Sequence, residues 1–143
     1  MHILMCNDDG ILADGLRHLA SYLSQYYRIT VVAPANEQSA KSHALTTEIP
    51  LKLDAYNGED ENPRLYALTG TPSDCMKFGL SYLLSDDMPD LVISGINHGF
   101  NLGSDVLYSG TVSAAMESCF YGIPGLALSV ERYSPERGDE MHT

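Results

Sequence analysis

His2-Ile-Leu-Met-Cys6, followed at once by Asn7-Asp8-Asp9-Gly10, is the stretch on which the reading of this chain turns. Five residues without polar alternation predict a strand covered on both faces. The Asp-Gly step directly after them predicts a sharp turn. Strands buried on both sides belong to parallel sheets flanked by helices, and such sheets bind ligands beyond the carboxyl ends of their strands. Asp8 and Asp9 therefore fall where a ligand is expected. Two adjacent carboxylates repel, so this turn needs a cation or water between them. A plain solvated turn is the alternative reading at this point.

Outward from this stretch, strand and helix patterns alternate. From Asp14, the residues Leu16, Leu19, Ala20 and Leu23 lie on one helical stripe, with Asp14 as the expected cap. Residues 29–33 read as a second covered strand, which makes the pair a parallel crossover. A polar loop over 34–47 leads to two further expected strands, 49–55 and 65–68, around a surface turn at 57–63. A second helix is expected from Pro72 through Met76, Leu80 and Leu83. Residues 91–94 read as a buried strand and 95–110 as a glycine-rich loop. A third helix over 111–121 places Val112, Ala115, Met116, Cys119 and Phe120 on one apolar face, ended by Gly122. Residues 126–130 form the last strand. This order predicts an α/β fold, a three-layer Rossmann-like arrangement with a doubly wound, mostly parallel sheet. Residues 1–130 are expected to form one catalytic domain, and the polar stretch 131–143 a mobile C-terminal end.

Composition narrows the function. A chain of 143 residues, 44% hydrophobic, can bury a core without staples. Its net charge of -11 argues against a nucleic-acid polymer or an anionic membrane as partner. A small anion remains compatible, because a metal ion or a helix N-terminus reverses the field locally. Cys6, Cys75 and Cys119 lie far apart in apolar stretches and read as reduced core thiols. With no basic leader pattern and no apolar run of membrane-spanning length, a cytoplasmic protein is expected.

If the strands are parallel, the segments at Asn7 to Gly10, Ser39, Gly70-Thr71-Pro72 and Gly95 to Gly110 all emerge at one sheet edge. Asp8, Asp9, the Ser39 hydroxyl and the Asn97 amide oxygen then form an all-oxygen donor set, which favours Mg²⁺ or Mn²⁺ over Zn²⁺. Ser109-Gly110-Thr111 opens the third helix, where free N–H groups and hydroxyls suit a phosphate. An ordinary capping residue is the alternative there.

Together these segments resemble the SurE family of stationary-phase survival proteins. The resemblance rests on residues 1–10, Ala33-Pro34 with Ser39, Leu68-Thr-Gly-Thr-Pro-Ser-Asp-Cys75 and Ser94 through Thr111. It implies a metal-dependent phosphatase acting on nucleoside monophosphates. One divalent ion per subunit would be held by Asp8, Asp9, Ser39 and Asn97, and Asn101 with Ser109, Gly110 and Thr111 would line the phosphate pocket. Ala44 stands where the family commonly has Ser. Family members continue well past this chain's last residue, so a truncated or incomplete chain is expected, and the homodimer or homotetramer belongs to the full-length form.

The reaction expected is hydrolysis of a phosphomonoester by metal-activated water, with Asp8 and Asp9 sharing the roles of ligand and base. A covalent aspartyl-phosphate competes with it, but phosphatases of that type space their carboxylates as Asp-x-Asp. His98 and His43 are candidate proton donors to a leaving alkoxide, set against plain surface-loop histidines. Tyr108 is a candidate for stacking on a base, with burial under the loop as the alternative. A non-catalytic nucleotide- or metal-binding module is the other functional reading.

Overall fold

The computed structural model describes residues 1–37 and 45–131. Its frame is a six-stranded sheet built from β1 (His2–Cys6), β2 (Arg28–Pro34), β3 (Leu53–Ala55), β4 (Arg64–Leu68), β5 (Leu91–His98) and β6 (Gly125–Val130). The spatial order is β3-β4-β2-β1-β5-β6, and every pairing except β3 with β4 is parallel. The order reverses on either side of β1, which puts a ligand crevice at its carboxyl end.

The two faces of β1 explain the layers. Ile3 and Met5 pack with Val31, Ala33 and Ile93 against Leu16 and Ala20 of α1 (Asp14–Leu23). Leu4 and Cys6 face the other way, toward Cys75 and Met76 of α2 (Pro72–Phe78) and Ala114 of α3 (Gly110–Cys119). Side chains alternate across a strand, so an unbroken apolar run is what two covered faces require. Truncating the fully buried Leu4 to Ala would cost about 2–5 kcal/mol.

Several expectations need correction. Of residues 49–55 only Leu53–Ala55 form a strand, short and antiparallel at the sheet edge. Pro50 has no N–H to give a ladder. Asp14 does not cap α1, because the cap position is Ala13 and Asp14 is the first helical residue. The second helix changes after Phe78 into a π-helical turn, Gly79–Leu83. Gly79 there lies close enough to Leu4 that a Cβ would stand 3.3 Å from its Cδ2.

The strand at 91–94 runs on to His98, so Asn97 belongs to β5 and not to a loop. Gly95, at φ 137°, accompanies a register shift against β6 between Ser94 and Asn97. The glycine is a bulge within a strand, where sequence alone reads a strand end. Part of the supposed loop is a 3₁₀ helix, Gly103–Tyr108.

α3 also differs from the expected apolar face. Its larger apolar residues Met116 and Cys119, with Phe120 just past its end, are exposed, whereas Gly110, Thr111, Ser113, Ala114, Ala115, Glu117 and Ser118 are buried. α3 packs close against β6, where a Cβ on Gly125 would run into the Ala115 carbonyl, and apart from Glu117 its buried side chains are small; Ser118 satisfies its own hydroxyl on the Ala115 carbonyl at 2.7 Å. Cys6 and Cys75 are buried thiols as expected, but Cys119 is not a core residue. Among the described residues no helix is long and apolar enough to cross a membrane.

Candidate metal centre and phosphate pocket

β1 ends at Cys6, paired with Ser94 of β5, so Asn7 and the two aspartates leave the sheet alongside Gly95, Ile96 and Asn97. Asn7 is fully buried and closes the turn on itself. Its Nδ2 donates to the Gly10 carbonyl at 2.9 Å, and its Oδ1 accepts from the Gly10 amide at 3.0 Å. Gly10 sits at φ 108°, against the end of β2, and the next amide, Ile11, donates to the Pro34 carbonyl at 2.9 Å. A turn tied at both ends holds its carboxylates in fixed places.

Asp8 is only 7% exposed. Burial pushes its carboxyl above the usual carboxylate range, the Glu37 charge adds to this, and the Thr111 hydroxyl opposes it by donating to Oδ1 at 3.1 Å. Gly110 packs on the same side chain: a Cβ there would lie 3.0 Å from the Asp8 Cβ and 3.2 Å from the Pro72 Cγ. Pro72, as the first residue of α2, keeps that helix entry rigid.

Ser109 caps α3, its Oγ accepting from the Val112 amide at 3.2 Å. Its carbonyl accepts the Ser113 amide at 2.9 Å, which leaves the amides of Gly110 and Thr111 among those the helix itself cannot satisfy. The capping reading of Ser109 is thus correct, and it is compatible with anion binding, because the hydroxyl hydrogen is still available to donate.

Asn97 lies opposite Ser129 in the β5–β6 pair, and its Nδ2 donates to the Gly99 carbonyl at 2.9 Å. Only the amide nitrogen can make that bond, which leaves the oxygen as the end suited to a cation. Asn101 reaches the same corner, its Nδ2 donating to Ser129 Oγ at 2.7 Å. Two groups therefore form at the carboxyl edge of the sheet: Asp8 with Ser109, Gly110 and Thr111, and Asn97 with Asn101. Asp9 is half-buried in the turn between β1 and α1. Ser39, His43 and Ala44 lie outside the described residues, as does the stretch 132–143. His98 is exposed at the end of β5, and Tyr108 is 68% exposed and so not buried under the loop.

Among the described residues no three His, Cys, Asp or Glu side chains are gathered for a metal. The donors at this edge are carboxylate, hydroxyl and amide oxygens, a hard set of the kind Mg²⁺ or Mn²⁺ takes. Sequence reasoning missed Glu37, whose charge acts on Asp8, because an acidic residue in a polar loop reads as solvated. It also passed over Asp74, although Thr71-x-x-Asp74 has the spacing of a capping box, and the structure forms one. A cavity of about 560 Å³ opens at the opposite end of the strands beside His2, Arg28, Asp87 and Asp90, away from every one of these groups.

Comparison with known proteins agrees with this fold. The family model described as survival protein SurE matches residues 3–143. A relative from Thermoanaerobacter sp. (strain X514), named 5'-nucleotidase SurE, is 54% identical over 129 residues, covering 90% of this chain and 50% of its own. One from Clostridium botulinum (strain Alaska E43 / Type E3) with the same name is 47% identical over 143 residues, covering 100% of this chain and 56% of its own. The solved structure of the SurE protein from Aquifex aeolicus superposes with a TM-score of 0.82 at 41% identity, over 94% of this chain and 53% of that one. The chain spans about half the length of the curated relatives it matches. Its sheet order, its aspartate turn and its matched length together place it in one group: the chain belongs to the SurE family.

Proposed function

We propose that this chain carries the metal and phosphate site of a divalent-metal-dependent phosphomonoesterase that hydrolyses nucleoside monophosphates to nucleoside and phosphate. One observation carries the reading: the buried Asp8 carboxylate stands against Gly110 and Thr111 at an open helix N-terminus. That helix end favours an anion, yet a carboxylate already occupies its flank. A phosphate and an ionised Asp8 repel at this range, and a cation between them relieves the repulsion. The names of the relatives, 5'-nucleotidase SurE, support the substrate class.

Asp8, Asp9, Ser39 and Asn97 are the residues that would hold one Mg²⁺ or Mn²⁺ ion. Bound there, the ion would polarise a phosphoryl group and acidify a water. The chain's own residues supply the rest. Thr111 fixes one oxygen of Asp8 by donating to it, so the carboxylate keeps its orientation. The Gly110 and Thr111 amides, with the Ser109 hydroxyl, donate to phosphoryl oxygens as their charge rises. Asn101 completes the wall of the phosphate pocket from the end of β5. Asp9, less buried than Asp8, is suited to take the proton of the attacking water. The adjacency of Asp8 and Asp9 speaks against a covalent aspartyl-phosphate.

The reading extends to a cytoplasmic location and to a homodimer or homotetramer of the full-length form. The net charge of -11 supports a small phosphate ester over a nucleic-acid polymer or membrane as partner. The test is phosphate release from 5' and 3' nucleoside monophosphates and short polyphosphate with Mg²⁺ or Mn²⁺, by this chain and by the full-length family form. Release that EDTA and Asp8→Asn abolish supports the proposal. Metal and nucleotide binding without release under any metal supports a non-catalytic module instead.

A further inference from the structure

We infer that Asp74 is a positioning residue for this site: its carboxylate fastens Thr46 to the turn at Thr71 and Pro72, which packs against Gly110 and Asp8. The inference rests on the metal reading above. Asp74 is 5% exposed and uses both oxygens. Oδ1 accepts from the Thr46 amide at 2.9 Å, and Oδ2 accepts from the Thr46 hydroxyl at 2.6 Å and from the Thr71 amide at 2.9 Å. Its own amide donates to Thr71 Oγ1 at 3.1 Å.

A capping box needs only the two bonds to Thr71. The two bonds to Thr46 tie the box to a residue distant in sequence, where the chain resumes its described course after the stretch that contains Ser39. Gly70 makes room for this: a Cβ there would stand 2.8 Å from Asp74 Oδ2. Burial alone would raise the Asp74 carboxyl, but the bonds from Thr46 and Thr71 outweigh it and hold the group below its usual value. The fastened turn leads straight to the site, since the Pro72 ring and the Asp8 side chain converge on Gly110. The Pro72 carbonyl also lies 3.9 Å from the Cys6 thiol, one residue before the aspartate turn.

The test is the Mn²⁺ dissociation constant of the intact chain, read from free Mn²⁺ by electron paramagnetic resonance, together with urea stability. Thr46→Val keeps the volume and the amide bond but removes the hydroxyl, and Thr46→Ser keeps both bonds. Thr46→Val and Asp74→Asn are expected to weaken Mn²⁺ binding by up to about tenfold, the lower end of the scale for groups bonded directly to a ligand, because they act on Asp8 through Pro72 and Gly110, with Thr46→Ser near wild type. Asn57→Ala is the control for simple destabilisation. Asn57 bonds the Leu65 amide and the Pro63 carbonyl at the far end of β4, so its loss should lower stability and leave Mn²⁺ binding unchanged. Thr46→Val and Asp74→Asn variants that lose stability but bind Mn²⁺ like wild type overturn the inference and leave Asp74 as a cap alone. A wild-type chain that binds no Mn²⁺ overturns the metal reading, and this inference with it.

Discussion

Replacing Gly110 by Ala tests whether α3 truly bears on Asp8. The added methyl would meet the Asp8 Cβ at 3.0 Å, the Pro72 Cγ at 3.2 Å and Asp8 Oδ2 at 3.4 Å, so the first two contacts must open by a few tenths of an ångström. Neither neighbour yields easily, because Asp8 is held by Thr111 and Pro72 by its ring. Overpacking of this kind costs about 1–3 kcal/mol. Helix propensity returns up to about 1 kcal/mol, less in a first turn, which leaves a net loss of roughly 1–2 kcal/mol. For a chain of 143 residues that is a Tm lower by about 3–7 °C. Gly15→Ala is the matched comparison, also in a first turn, where the new Cβ finds only ordinary contact with Ile96 at 3.5 Å. It should stabilise by about 0.4–1 kcal/mol. Urea melts of both variants, with Mn²⁺ titrations alongside, give the comparison. If Gly110→Ala stabilises as much as Gly15→Ala and binds Mn²⁺ unchanged, the packing argument for the site is wrong.

Three further outcomes follow from the same geometry. Asp8 and Asp74 should give stability opposite dependences on pH. The raised Asp8 carboxyl makes its contribution below about pH 3.8 and loses it as pH rises through the folded value, so the metal-free Asp8→Asn chain should be more stable than wild type at pH 7. The lowered Asp74 carboxyl contributes above about pH 3.8 and is lost as pH falls through its folded value, so Asp74→Asn should cost stability at pH 7 and little in strong acid. Gly95→Ala would drive a Cβ into the Leu128 carbonyl at a positive φ, and should disturb the β5–β6 register, seen as faster amide exchange around Asn97 and weaker Mn²⁺ binding. On α3, Met116→Gln should shift stability by less than about 0.5 kcal/mol, whereas Ala114→Leu should cost about 1–3 kcal/mol, by denaturant melts.

The parts of the fold that hydropathy alone dictates were legible. The runs in β1 and β2 are unbroken because both faces are covered, and the stripe of Leu16 and Ala20 in α1 meets the sheet as its period requires. Steric facts were not legible. Of the apolar stripe expected on α3, Ala115 is buried while Met116 and Cys119 are exposed, and the buried face is made mainly of small residues with Glu117 among them, a pattern that hydropathy does not predict. Gly95 was read as a strand end because a bulge and a loop use the same residue. In the site, Asp8 and Thr111 were legible from strand-end and helix-start signals, and their hydrogen bond joins positions 103 apart in sequence. Glu37 and Asp74 act through neighbours that only the folded chain supplies.

The central claim is that the aspartate turn at the end of β1 holds one divalent cation. Mn²⁺ titration of the intact chain at neutral pH, with Asp8→Asn and Asp9→Asn in parallel and folding checked by circular dichroism, tests it most directly. One ion per wild-type chain is expected, displaced by Mg²⁺, with at least a tenfold loss of affinity in each variant that remains folded. A folded wild-type chain that takes up no Mn²⁺, or an Asp8→Asn chain that binds it as tightly, would show that the aspartate turn holds no metal.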